Sequence, residues 1–343
     1  MPNYQFILTP VDKFFFGGEK HNADGYSINY FVESNPYPQQ TTILGLVRYY
    51  LLKQNGLIGN NDRIKSEGKK LIGEKSFDFD VANQQFGNIK SVSPLYFINS
   101  SETWFPAPFD SQHKLSKLDG YYKFITDHGK NYTAKDGGFE LRLTNGKGNY
   151  QLLSEIIYPV PQTGNEKGEK GSTKEDAYYK QVFMQIKPGW SFAFDVELSQ
   201  DITKEELFVN FGGEKSLFSL KIIPGRKPFD FRYSFPENKK RENVFGFYCL
   251  SDCFANPDIS GNTCFGIIQG MSFRNFQSSI ETKNYAAYNS SDPNGMIRGK
   301  RFNLLARGSA LYFETIDLRD KAAETINNSN GSAIGFNQII TIN

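Results

Sequence analysis

Strict alternation marks the clearest strand: Trp190, Phe192, Phe194, Val196 and Leu198 alternate with Ser191, Ala193, Asp195 and Glu197, which predicts one buried and one wet face. A different period governs Thr41–Gly56. There Ile43, Leu46, Val47, Tyr50 and Leu51 recur at helical spacing, with Thr41 or Thr42 as N-cap, Gly56 as the stop and Arg48 off the apolar stripe. Shorter apolar runs predict strands at Tyr4–Thr9, Val92–Phe97, Trp104–Phe105 and Leu217–Ile223. The polar, glycine-rich stretch Gly164–Lys174 predicts a mobile loop or hairpin tip flanked by strands. Thr203–Glu206 has the spacing of a capping box and predicts a short helix before the Leu217–Ile223 strand. A second helix, glycine loop and strand follow at Leu318–Ile326, Gly331–Asn337 and Ile339–Ile342. Two such units predict an α+β chain of two ferredoxin-like (RRM-like) domains, 1–224 and 225–343, divided at the Pro224–Pro228 segment. A β-hairpin insertion is expected within about 110–195.

The pentapeptide Phe-Gly-Gly-Glu-Lys occurs twice, at Phe16–Lys20 and Phe211–Lys215. Adjacent glycines open space for close backbone approach, and successive N–H groups form an anion-binding concavity. With Gly331–Asn337, three such loops suggest a surface that holds a polyanion at several points. Tight turns are the structural alternative for each loop taken singly.

Composition narrows the field. Formal charge is only +2 over 343 residues, so any nucleic-acid binding comes from local patches rather than a whole-molecule field. Many of the 31 Phe and 19 Tyr must fill cores, and a surplus of rings is also what base stacking needs; plain core filling is the alternative. No basic n-region with an apolar core opens the chain, and no run reaches membrane-spanning length, so a cytoplasmic protein without membrane contact is expected. Cys249, Cys253 and Cys264 are too few for a disulfide framework and lack nearby histidines, which predicts buried thiols, no metal and no cofactor.

Several landmarks occur in a recognisable order. They are Pro10–Asn22 with its aromatic, glycine and basic residues, the proline-led helix entry Pro38–Arg48, Phe105-Pro-Ala-Pro-Phe-Asp110, the Gly-Gly-Glu loop at Phe211–Lys215, Ala306–Phe313, and Gly335-Phe-Asn337. In this set the chain resembles the RAMP superfamily of CRISPR effector proteins, and most closely the members that form the third subunit of type III-B (Cmr) complexes. Gly18-Glu-Lys20 stands where that family more often has Asp, Gly and Arg, and Lys215 where Arg is common. Lysine is a point charge without the guanidinium fork.

The resemblance implies a non-catalytic subunit, one copy per hetero-oligomeric ribonucleoprotein, that grips the 5′ handle of the CRISPR RNA. Its protein partners would be the large cyclase/polymerase-like subunit and the first backbone RAMP subunit. Candidate RNA contacts are Gly17, Gly18, Lys20, His21 and Asn22 in the first loop, and Thr41, Thr42 and Arg48 at the helix. Gly212, Gly213, Lys215 and Ser216 belong to the second loop, and Gly331, Ser332, Gly335, Phe336 and Asn337 to the third. Lys300, Arg301 and Arg307 form a further basic cluster. Three other readings compete: a metal-independent RAMP endoribonuclease with His21 as general base, the handle-binding subunit of a type III-A complex, and a Phe-rich carbohydrate-binding or surface protein. Asp78 and Asp80 are read as lying on one wet face of a strand rather than as a metal pair.

Overall fold

A computed structural model of the chain describes residues 1–17, 30–58, 64–81, 83–100, 102–111, 114–118, 121–125, 139–167, 173–203, 205–225, 231, 245–255, 257–278, 296–327 and 330–342. A nine-stranded sheet forms from β1 (Asn3–Pro10), β3 (Ile89–Val92), β4 (Tyr96–Asn99), β5 (Glu102–Pro106), β8 (Arg142–Thr144), β9 (Tyr150–Leu152), β12 (Trp190–Leu198), β13 (Glu206–Asn210) and β14 (Leu217–Pro224). A three-stranded sheet joins β2 (Tyr30–Glu33), β10 (Ile157–Lys167) and β11 (Thr173–Ile186). A four-stranded sheet holds β15 (Phe245–Cys249), β16 (Phe265–Ile267), β19 (Ala310–Phe313) and β20 (Ile339–Ile342). Two hairpins complete the strands: β6 (Lys114–Leu118) with β7 (Tyr121–Ile125), and β17 (Gly270–Ser278) with β18 (Met296–Leu305). The helices are α1 (Gln40–Gln54), α2 (Ser66–Ile72), α3 (Leu153–Ile156) and α4 (Ile316–Asn327).

The two larger sheets repeat one plan. In the nine-stranded sheet β14, β1, β12 and β4 are neighbours, all antiparallel, so the spatial order is fourth, first, third, second. The four-stranded sheet has the same order, β20, β15, β19, β16, again antiparallel. Each carries one long helix where two were expected. In the first, α1 links β1 to β3 and β4, while the third-to-fourth connection holds a strand, β13, in place of the helix expected from Thr203–Glu206. Glu206–Asn210 instead pairs residue for residue with Leu217–Lys221. The sheet's demand for a partner outweighs a four-residue capping signal. In the second sheet a six-residue 3-10 turn, Pro257–Asn262, fills the first crossover and α4 the last.

Helix α1 starts two to three residues earlier than Thr41 or Thr42 as N-cap requires: Gln39 is the N-cap and Thr41 and Thr42 lie in the first turn. The Gln40 side chain turns inward instead, donating to the carbonyls of Ser93 and Ile334. Ile43, Val47, Tyr50 and Leu51 pack on Phe6, Leu8, Phe192 and Phe194 as the period requires. Leu44 and Leu52 are buried too, so the apolar stripe is wider than the sequence pattern.

The polar face of β12 is not wet. Ala193 and Asp195 are buried because the four-stranded sheet covers that face: Tyr96, Phe105 and Ala193 meet Tyr248, Leu250, Ala310, Tyr312 and Ile340. Asp195 survives burial by accepting a hydrogen bond from the Tyr96 hydroxyl at 3.0 Å, and Tyr96 accepts one from Gln5 at 2.7 Å. Beyond the second sheet, Ala322, Ala323 and Ile326 of α4 pack on Phe247, Cys249, Leu311 and Phe313. The order through the molecule is therefore helix, sheet, sheet, helix. Since β12 sits between β1 and β4, the last residues of the 110–195 span belong to the main sheet.

The predicted strand Val92–Phe97 is broken at Ser93-Pro94 into the end of β3 and the start of β4. Phe77-Asp78-Phe79-Asp80 is irregular rather than a strand. Its two rings are buried against Phe336 and Phe302, while Asp78 caps the Asp80 N–H and Asp80 pairs with Lys300. Cys249 and Cys253 are buried thiols, and Cys264 is partly exposed.

Candidate nucleic-acid interface

The two copies of the repeated pentapeptide meet. Phe14 and Phe16 follow β1 and plug a buried ring cluster with Phe192, Phe211 and Phe218; the rings of Phe16 and Phe211, which open the two copies, stand edge to face at 5.4 Å. Each buried phenylalanine contributes roughly 1.5–3 kcal/mol of transfer free energy. Above the rings the backbones are stitched together. Gly213 N donates to Phe15 O at 2.7 Å, Phe15 N donates to Ser216 Oγ at 2.9 Å, and Ser216 Oγ donates to Gly213 O at 2.7 Å.

Glycine is required at 212. Its φ is +90°, and a Cβ would lie 2.5 Å from Phe15 O and 2.8 Å from the Phe16 ring. The expectation of open N–H groups on both loops is thus corrected in part, because Gly212 and Gly213 use their freedom on the partner loop. Gly17 is different: it is exposed, with open space around its Cα, and its carbonyl accepts from Asn35. Ser34 Oγ secures the base of that loop by accepting from Phe16 N. Gly18, Lys20, His21 and Asn22 lie outside the described residues.

The tip of the second loop is strained. Glu214 and Lys215 both have φ of +53°, and Ser216 N closes the turn on Gly213 O. Two left-handed residues in succession make a type I′ turn, a shape that favours Asn-Gly. Here an exposed glutamate and lysine occupy it. Such outliers persist where the surroundings hold them, and the Phe15–Ser216 bonds do so.

A second convergence involves the other landmarks. Phe109 N donates to Gly308 O, and the Tyr312 hydroxyl donates to the buried Asp110 carboxylate, so the Phe105–Asp110 and Ala306–Phe313 segments are one structural unit. Arg307 does not belong to an exposed basic cluster with Lys300 and Arg301. It is 1% exposed, bound by Nε and Nη2 to Asp252, and its guanidinium stacks 3.9 Å over the Tyr37 ring. Burial works against the Arg307 charge and Asp252 outweighs it, so its pKa moves up. Burial likewise raises the Tyr37 hydroxyl to about 12. Asp252 and Tyr37 were not legible as its partners, being far away in sequence.

The third glycine loop sits beside this pair, not with the other two. Phe336 and Asn337 are wholly buried: Phe336 stacks in the ring cluster of Phe77 and Phe273, and Asn337 bonds Phe254 N and Ile326 O. Gly335, at φ +88°, lies so close to Gln40 and Ser93 O that a Cβ would fall 2.0 and 2.5 Å from them. Gly331 is buried and Ser332 partly so, with its carbonyl taking a bond from Gln338. These five residues close the entry to α1, where Thr41 and Thr42 are half-exposed.

Arg48 leaves the apolar stripe as expected but turns to the protein. It donates to Ile72 O at 3.0 Å and Lys75 O at 2.9 Å, holding the end of α2. Lys300 and Arg301 are exposed on β18, with Lys300 paired to Asp80 at 2.7 Å. Among the described residues no group of three His, Cys, Asp or Glu could hold a metal ion, and no helix is long and apolar enough to cross a membrane.

Residues 6–149 match the family described as CRISPR-associated protein (Cas_Cmr3). No curated protein matches the chain. Among solved structures, a type III-B Cmr-beta complex bound to cognate target RNA and AMPPnP contains a chain similar at 14% identity and TM-score 0.52, over 98% of this chain and 95% of that one. A Cmr-beta complex bound to cognate target RNA gives 16% identity and TM-score 0.50, over 98% and 96%. At such identities the likeness is one of fold. The family match takes in the first glycine loop, the entry to α1 and the Phe105–Asp110 motif and spans less than half of the chain, while the fold is shared along nearly its whole length.

Proposed function

We propose that this chain is a non-catalytic subunit of a type III-B CRISPR effector, holding the 5′ handle of the CRISPR RNA and docking on the large cyclase/polymerase-like subunit and the first backbone RAMP subunit. One observation carries the reading: the two Phe-Gly-Gly-Glu-Lys copies, almost two hundred residues apart, are bonded into a single two-loop edge through Gly213 N and Phe15 O. That edge presents exposed Gly17 and Lys215, with Lys20 three residues after Gly17 in the chain. N–H groups and lysines side by side suit sugar–phosphate contact rather than base readout. We take the two sheets with fourth-first-third-second order as two ferredoxin-like domains, 1–224 and 225–343, working in the cytoplasm.

Arg307, Phe336 and Asn337 are buried, which supports reading them as shaping the entry of α1 rather than as meeting RNA by their side chains. Co-purification tests the reading. RNA bound to the full chain in its native complex should share one repeat-derived 5′ end on sequencing. RNA of unrelated sequence, or none, would count against it.

A further inference from the structure

Strand β13 is the open edge of the nine-stranded sheet: β14 pairs with one side and, among the described residues, no strand pairs with the other. A groove of about 690 Å³ runs between this edge and helices α1 and α2. Phe208, Val209 and Asn210 all line it. Successive strand side chains point to opposite faces, so a groove that touches three in a row follows the backbone edge itself.

The register tells which groups face outward. Phe211 N donates to Ser216 O and Ile222 N donates to Glu205 O, which places the backbone groups of the odd-numbered residues toward β14. Those of Glu206, Phe208 and Asn210 therefore point away from it. Protected edges carry lysine, proline or a bulge. Glu206–Asn210 has none of these, and Phe208 is 67% exposed.

The walls select the occupant. Leu52, Ile64 and Ile72 supply an aliphatic floor, and the rim bears Lys53, Lys69 and Lys75 against the carboxylate of Glu74. We propose that β13 accepts an added strand from an extended, acidic and aliphatic segment of a partner protein. Tyr49 and Phe208 add two rings to the lining, so a peptide is chosen over a nucleobase because the outward backbone groups of the edge are satisfied by an added strand and not by a stacked base. The cationic rim complements carboxylates on the added strand. This surface is separate from the paired glycine loops and does not depend on their reading.

The test uses the full chain and a fluorescein-labelled heptapeptide of alternating aspartate and isoleucine, read by anisotropy, with a lysine–isoleucine counterpart and labelled oligouridylate as comparison probes. The aspartate peptide should bind and the lysine peptide should not. Phe208→Pro deletes one outward N–H while leaving the β14 ladder intact, and should weaken binding about tenfold; Phe208→Ala retains the N–H and should stay within about threefold. Alternate N-methylation of the peptide should abolish binding to the unaltered chain, an arm that holds even if Phe208→Pro folds poorly. Equal effects of proline and alanine, binding indifferent to N-methylation, oligouridylate displacing the peptide, or a dimer of this chain dissolved by Phe208→Pro would each overturn the proposal.

Discussion

Replacing Glu214-Lys215 by Asn-Gly should make the protein more stable and worse at holding RNA. Both residues sit at φ +53°, where an ordinary L-residue carries roughly 1–2 kcal/mol of strain. Lys215→Gly removes that strain but adds about 0.4–1 kcal/mol of unfolded-chain entropy, and Glu214→Asn adds a few tenths because asparagine tolerates the left-handed region. The net gain is about 1 kcal/mol. Unfolding entropy near 2.1 cal/mol/K per residue, taken over this chain as one cooperative unit, converts this into a rise of about 1–2 °C in Tm. Differential scanning fluorimetry reads the first effect and retention of bound RNA the second. Lys215 loses its charge in the variant, so RNA retention should fall. A lower Tm would refute the strain argument; unchanged RNA retention would remove Lys215 from the interface.

Other consequences follow from the buried cluster at the entry of α1. Arg307→Met leaves the Asp252 carboxylate in the interior without its counter-ion, keeping only the bond from the backbone N–H of residue 307, at a cost of about 3–5 kcal/mol, and Arg307→Met/Asp252→Leu should recover part of it; chemical denaturation of the three proteins checks this. Gly335→Ala forces a Cβ into Gln40 and Ser93 O and should cost about 2–4 kcal/mol by the same assay. Tyr37 is held protonated up to about pH 12, above its ordinary 10.0. The unfolded chain therefore releases this proton first, and the contribution of Tyr37 to stability, complete below pH 10, declines as pH rises towards 12. The tyrosinate absorbance difference between the chain and Tyr37→Phe should appear only near the upper end of that range.

Local patterns carried part of this structure. Helix α1 and β12 were legible because their periods, 3.6 and 2, are imposed by the same core face, and the terminal helix, loop and strand follow as expected. Thr203–Glu206 misled because a sheet edge recruited the residues after it. Asp195 read as solvent-facing, since its partner Tyr96, itself bonded by Gln5, comes from another strand. Arg307 looked like surface charge for the same reason: its counter-ion lies 55 residues away and its stacking partner, Tyr37, in the other half of the chain. Adjacency of the two pentapeptides was suggested by their identity alone; that their glycines serve mutual packing follows only from the 2.5 Å gap at Gly212.

Arg48 holds α2 in place, so lysines give the cleaner test of RNA contact. Affinity for a repeat-derived, single-stranded handle RNA, measured by filter binding across a salt series, should show a slope of log K against log[salt] that is shallower by about 1.4 in Lys20→Gln/Lys215→Gln, with melting temperature unchanged or higher. An unaltered slope and affinity in that double variant would contradict the claim that the paired loops grip the RNA backbone.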